Sequence, residues 1–176
     1  MNYFKHIDLD WVPFRNRVIK LIEDYPKLIE KGPGAFVALK KEQVIEIYPE
    51  LARMIKPLGL TILYVALYTI YDNKGTLHSD GTHVPIRITL PILNCENSIT
   101  TFYQVTEEGT AGLQQNGLGA TYYDPKKSTP VASYELTGPV VLRVTKPHQV
   151  VSTNDVFPRI SCSIAFKEDI EYLLEN

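Results

Sequence analysis

Along this chain the hydrophobic period changes once, near residue 60, and the change splits the sequence into two textures. In the first, Trp11, Phe14, Val18, Leu21 and Ile22 recur at spacings of three and four. That puts them on one face of a helix, with Arg15, Arg17, Lys20 and Glu23 on the rest. The helical pattern covers residues 8–31: Asp8 and Asp10 suit its amino end, and Pro26 ends or bends it. Lys31-Gly32-Pro33-Gly34 is a turn signal, and Ala35 to Leu39 is a short strand. Gln43 to Lys56 is a second helix with Leu51, Met54 and Ile55 as its buried stripe. Pro49 is tolerated there as the opening of a new first turn, and Leu58-Gly59 stops it.

From Leu60 the period falls to two. Thr61 to Tyr71 is rich in β-branched and aromatic residues, as strands are, and Asp72 to Gly75 is a turn. In Val84 to Leu93 the residues Ile86, Ile88, Leu90 and Ile92 take one face, while Arg87, Thr89 and Pro91 take the other. Ser98 to Val105 is a further strand. Tyr122-Tyr123, a turn through Pro130, and Val131 to Leu136 read as a hairpin, followed by Val140 to Val144 paired with His148 to Ser152. The polar, glycine-rich segment from Thr106 to Ala120 reads as a mobile loop beside a barrel mouth, or as a surface insertion without a role. Arg159 to Phe166 closes the set. Eight or so short strands after a helical preface make the fold mainly β (α+β). They fit a double-stranded β-helix, that is, a jelly roll or cupin-like barrel, with the N-terminal helices packed outside and a short C-terminal helix. The chain reads as a single domain: preface 1–59, β core 60–167, terminal helix 168–176.

The candidate chemistry sits on the strand-like half. His78 and Asp80 are two apart, so in extended backbone their side chains share a face. A second imidazole from a distant strand, His148, would complete a facial set of two histidines and one carboxylate. Such a set holds Fe(II) and leaves positions for an organic acid and O₂. Seventy residues separate the histidines, so the site exists only once the chain is folded. In Arg159 to Phe166 the alternation places Arg159, Ser161, Ser163 and Ala165 opposite Ile160, Cys162, Ile164 and Phe166. A cation and two small hydroxyls on an inner face suit the floor of an anion pocket, where a guanidinium fits a carboxylate. An ion pair of Arg159 with Asp155 is the competing reading. A buried Arg87 likewise needs an anion, unless it stays at the rim.

His78-x-Asp80, then His148, then Arg159-x-Ser161 resembles the signature of Fe(II)/2-oxoglutarate-dependent dioxygenases. The likeness spans about residues 60 to 167. It implies that His78, Asp80 and His148 ligate iron and that Arg159 and Ser161 hold the distal carboxylate of 2-oxoglutarate. It also implies hydroxylation of a C–H bond with O₂, yielding succinate and CO₂. Arg87, nine residues after His78, is similar to the arginine that contacts the co-substrate in the aspartyl/asparaginyl β-hydroxylase branch. That likeness favours an amino-acid or peptide substrate over another small metabolite. Two further readings stand beside it: a cupin-like metalloprotein working without 2-oxoglutarate, and a non-catalytic jelly-roll binding module. His83 has the wrong parity to join the ligand set if the strand is regular. His6 reads as a surface residue, and Tyr68, Tyr71 and Tyr103 as pocket lining or packing.

Composition narrows the class without changing the picture. The 176 residues carry a net charge of −2, which gives no basic surface for nucleic acid. No apolar run reaches the ~18 residues of a membrane span, and the amino terminus lacks a secretory pattern. Cys95 and Cys162 lie in strand-like apolar settings, as free thiols of a cytoplasmic protein do.

Overall fold

The structure is a computed structural model, and it describes residues 2–29, 36–39, 41–71, 75–81, 83–114, 118–153 and 155–175. The turn expected at 31–34, and positions 72–74 of the turn expected at 72–75, lie outside the described residues. Twelve strands form two six-stranded antiparallel sheets, with few helices. Sheet A runs in the order β1 (Phe4–His6), β10 (Val140–Arg143), β5 (Ile86–Leu93), β12 (Arg159–Phe166), β3 (Ile62–Ile70), β2 (Phe36–Ala38). Sheet B runs β7 (Thr110–Leu113), β8 (Gly119–Tyr122), β4 (His78–Asp80), β11 (His148–Ser152), β6 (Ser98–Val105), β9 (Ser128–Glu135). From β3 to β6, and again from β9 to β12, successive strands alternate between the sheets.

The period-two pattern of the sequence decides what each face of sheet A meets. Ile86, Ile88, Leu90 and Ile92 of β5 join Ile160, Cys162, Ile164 and Phe166 of β12 in one apolar cluster. The helices supply its other half: Phe14, Val18 and Leu21 from α1 (Val12–Asp24), and Ile47, Leu51 and Met54 from α2 (Lys41–Ile55). Full burial of one such side chain stabilises by roughly 1.5–3 kcal/mol, so this layer fixes sheet A from behind. A second, smaller cluster with Phe102, Tyr134, Val140 and Leu142 closes one end of the space between the sheets. The remainder of that space is lined by polar residues together with aliphatic ones such as Ile70 and Val150.

Several boundaries differ from the sequence reading. α1 begins at Val12 with Pro13 in its first turn, so Asp8 and Asp10 precede it. α2 runs through Pro49 instead of restarting there. An interior proline costs about 3 kcal/mol, and burial of Ile47, Leu51, Met54 and Ile55 offsets it. Gly59, at φ 64°, ends the 3-10 turn that follows. The expected hairpin from 122–123 to 131–136 does not form, because β8 is occupied by β4 and β7 while β9 pairs with β6. Nor do β10 and β11 pair with each other: β10 lies between β1 and β5, and β11 between β4 and β6. The segment expected to be an irregular loop from 106 to 120 contains most of the β7–β8 hairpin, with positions 115–117 outside the described residues. The preface gives sheet A both its edge strands, β1 and β2. The terminal helix is a single turn, α3 (Tyr172–Glu175), entered through a turn in which Asp169 accepts from the Glu171 amide. Among the described residues no helix is long and apolar enough to cross a membrane.

Candidate metal and anion site

The two histidines meet because β4 and β11 are paired in sheet B with His148 opposite His78. Their ring centroids are 4.7 Å apart. Gly75 allows the approach to β4 to lie against β11: a Cβ there would come within 1.8 Å of the Val150 carbonyl oxygen. Asp80 follows on the same face of β4, and His78, Asp80 and His148 present ligand atoms that all lie within 4.8 Å of one another. His83 is exposed and stands apart from this set, as its parity implies. His6 is exposed as well.

Both rings are held in the same tautomer. His78 Nδ1 donates to the Thr76 carbonyl at 2.9 Å, and His148 Nδ1 donates to the Lys146 carbonyl at 2.8 Å. A carbonyl only accepts, so each neutral ring leaves the lone pair on Nε2, the arrangement found when a histidine is oriented for a metal. Burial, reinforced by the neighbouring His78, pushes the His148 pKa down to about 4. At neutral pH it is therefore an uncharged ligand. Burial is the largest single influence on His78 and opposes its charge, but the hydrogen bonds to Asp80 and the Thr76 carbonyl and the charge of Asp80 together outweigh it and raise that pKa. Asp80 is shifted down: burial raises it, and His78, His148 and Arg87 together lower it further. His78 Nε2 lies 3.4 Å from Asp80 Oδ1. Two imidazole nitrogens, once His78 gives up the proton it shares with Asp80, and a carboxylate oxygen match the donor chemistry of a non-haem iron site.

Across the cavity, sheet A presents the cations. The space between the sheets is a cavity of about 320 Å³ lined by His78, Asp80, His148, Arg87, Arg159 and Ser161. Among the described residues three arginines are buried: Arg87, Arg143 and Arg159. Arg143 pairs with Glu171 at 2.6 Å, and Arg87 reaches Asp80 Oδ2 at 3.4 Å. Arg159 has no such partner among the described residues; its Nε donates to the Ser98 hydroxyl at 2.8 Å. The alternative pairing with Asp155 does not form. A buried ion with no counter-charge is costly unless an anion joins it, and the Arg159 guanidinium, 3% exposed on the cavity wall, is of the chemistry that suits a carboxylate. Ser161, on the same face two residues on, and Ser163 beyond it line the same wall.

Arg87 is buried and not at the rim, and Asp80 is the anion it faces. Its Nη1 also donates to the Tyr68 hydroxyl at 2.9 Å, its guanidinium stands 5.6 Å from the Tyr64 ring, and its buried Nε has no protein partner. Burial raises Tyr68 to about 12 against the opposing pull of Arg87, so the phenol keeps its proton. Tyr71 instead donates to the Ile29 carbonyl, and Tyr103 to Gln149. Sequence reasoning missed Gln114, at the end of β7, whose Nε2 donates to Asp80 Oδ1 at 2.8 Å. It also missed Tyr122 and Tyr134, which line the cavity. Nothing local marks Gln114, because its role depends on the β4–β8 pairing that folds the hairpin over Asp80. Both cysteines are free and buried, as expected.

No family model matches the sequence, and no curated protein is significantly similar to it. Solved structures do match by shape. EvdO2 from Micromonospora carbonacea var. aurantiaca, complexed with 2-oxoglutarate, is 13% identical, with 99% of each chain covered and a TM-score of 0.52. The epimerase SnoN, in complex with Fe3+, alpha ketoglutarate and nogalamycin RO, is 12% identical at a TM-score of 0.51, covering 99% of this chain and 85% of its own. At these identities the likeness is one of fold alone.

Proposed function

We propose that this protein is a non-haem Fe(II)- and 2-oxoglutarate-dependent oxygenase that hydroxylates a C–H bond of a small organic or peptide substrate. The alternation of strands between the two sheets is, in this reading, a double-stranded β-helix. The single observation that carries the proposal is the juxtaposition in one cavity of the His78–Asp80–His148 donor set with the uncompensated guanidinium of Arg159. A metal-binding module without an organic-acid co-substrate would have no use for that buried cation. Structures of proteins sharing the fold contain 2-oxoglutarate, one with Fe3+ as well, which supports the pairing.

In this assignment His78, Asp80 and His148 would hold the iron, and Arg159 with Ser161 would hold the distal carboxylate of 2-oxoglutarate. When bound, the two supply O₂ activation and oxygen insertion, with succinate and CO₂ as by-products. The protein's own part is positioning and exclusion of water. The Thr76 and Lys146 carbonyls take the Nδ1 protons and so orient both rings with their Nε2 atoms towards the set. His78, His148 and Arg87 together favour the ionised form of Asp80, and the Tyr68 hydroxyl accepts from the same Arg87 guanidinium, which so serves two acceptors.

The test is anaerobic titration with Fe(II) and then 2-oxoglutarate, following the weak visible charge-transfer band of the chelate. The band is expected in the wild type, absent in His148→Ala and weakened in Arg159→Ala. Iron demonstrably bound with no band on adding 2-oxoglutarate would sink the proposal.

A further inference from the structure

A second cavity, of about 650 Å³, lies on the other side of the Asp80–Arg87 pair. Its walls come from three separate elements: Ile45 and Tyr48 on α2, Leu63 and Tyr64 on β3, and Leu118 beside the β7–β8 hairpin. Tyr68, Asp80 and Arg87 line both this cavity and the one holding the donor set, so the two spaces share a wall.

The surface here breaks the usual pattern. Ile45 is 62% exposed, Tyr48 54%, Leu63 49% and Leu118 39%, and all four converge on this one cavity. Scattered exposed apolar residues need no explanation, but a contiguous set around a concavity marks a binding site. Charge tells what it excludes. Among the lining residues Asp80 and Arg87 neutralise one another, and His83 is exposed at the margin. A free amino acid would bring an ammonium and a carboxylate with no separate partner for either, and burying them unpaired is costly. The volume lies in the range that suits a drug-sized ligand.

We infer that this second cavity is the substrate site and that its substrate is a neutral, predominantly apolar molecule of ring or long-chain size, not a free amino acid or acidic peptide. The inference rests on the oxygenase reading for the word substrate; the binding of an apolar molecule stands without it. The two cavities then divide recognition. Arg159 takes the organic acid, and the α2–β3–hairpin cleft takes the apolar body and presents one end of it to the donor set across the Asp80–Arg87 wall.

The experiment titrates the full chain with the neutral fluorophore N-phenyl-1-naphthylamine, and in parallel with Fe(II) and 2-oxoglutarate. Wild type is expected to bind one fluorophore saturably. Leu63→Glu and Leu118→Glu should each weaken it at least tenfold while keeping the iron–2-oxoglutarate band, which also shows that they fold. Arg159→Ala should leave fluorophore affinity unchanged. Non-saturable binding, or wild-type affinity in both Glu variants, would overturn the inference. So would sedimentation showing a wild-type dimer that Leu63→Glu dissociates without changing fluorophore affinity, since the face would then be a contact between copies. Free amino acids that accelerate 2-oxoglutarate consumption, with no competition from the fluorophore, would overturn it too. Absence of the band in wild type alongside normal fluorophore binding would remove the oxygenase reading and leave the apolar site standing.

Discussion

Sheets A and B differ in what stands behind them. Strands β5, β10 and β12 of sheet A are buried almost without a break, with α1 and α2 packed on their outer face. In sheet B, β7 is exposed throughout, and most of β9 and the middle of β11 are exposed or half-buried. The arginines facing the cavity belong to the first sheet, and His78, Asp80 and His148, the proposed metal donors, to the second. A guanidinium with no protein counter-charge must be kept in place by its surroundings, and a close-packed layer does so. The donors sit on a thinner sheet, and local devices fix them: two Nδ1–carbonyl hydrogen bonds, the closeness of Gly75 to β11, and partners for both oxygens of Asp80.

If that division is right, the largest effect comes from sheet B. His148→Ala removes a donor outright and should lower Fe(II) affinity by more than the 10–100-fold seen for outer-shell partners. Fe(II) competition titration under anaerobic conditions measures it. Iron affinity within a few-fold of wild type would break the assignment of the donors to this sheet.

Acid should expose the same sheet. His148 titrates at about 4 when folded and near its ordinary 6.5 when unfolded. Between those values the unfolded chain takes up the proton more readily, so stability from this group is complete above about 6.5 and is lost as pH falls towards 4. The full span is on the order of 3 kcal/mol. His78 works in the opposite direction: its folded pKa is raised, so its contribution is present below 6.5 and lost as pH rises through the folded value. Urea midpoints of the metal-free protein at pH 7 and pH 5 should therefore fall more steeply in wild type than in His148→Gln, where that position no longer titrates. Parallel pH profiles would contradict the neutral, buried state of His148.

Sheet A answers to a different ligand. Arg159→Ala should weaken 2-oxoglutarate binding roughly 10–100-fold, from the ~1.5–3 kcal/mol of a hydrogen bond to a charged group. Fe(II) affinity should stay near the wild-type value. Isothermal titration of each ligand separates the two, and a variant that lost both equally would mean the cavity collapses as a unit.

How far this division could be read from sequence depends on the period. On β12, Arg159 and Ser161 announce themselves because every neighbour on the opposite parity is apolar, and the strand bounds read from the sequence, Arg159 to Phe166, match the structure. His78 and Asp80 share parity for the same reason. Pairing was less legible. Period-two alternation says which face a residue takes but not which strand lies beside it. Sequential strands were therefore joined as hairpins where the chain in fact crosses to the other sheet at Val144–His148. Glycine and polar residues in 106–120 concealed β7 and β8 because an exposed edge hairpin needs no apolar face. Arg87 was legible as a buried cation, but its anion was not, since Asp80 reaches it only across the cavity.

The smallest effect is the sharpest test, because Asp80 is where the two sheets meet. Its Oδ2 faces Arg87 of sheet A, and its Oδ1 accepts from Gln114 at the end of β7. That oxygen also lies 3.4 Å from His78 Nε2, so Gln114 helps to aim the donor set without belonging to it. Gln114→Ala should lower Fe(II) affinity by about tenfold, the low end for an outer-shell partner, with 2-oxoglutarate affinity at fixed, saturating iron unchanged. Because Gln114 is half-buried at an edge strand, the urea midpoint should move by no more than the ~0.5 kcal/mol typical of surface changes. Gln114→Glu should do worse than Ala, since a second carboxylate would face Oδ1 and repel it. Ala and Glu variants with equal, wild-type iron affinity would mean that the hairpin merely covers Asp80, and that the anchor of this carboxylate is Arg87 alone.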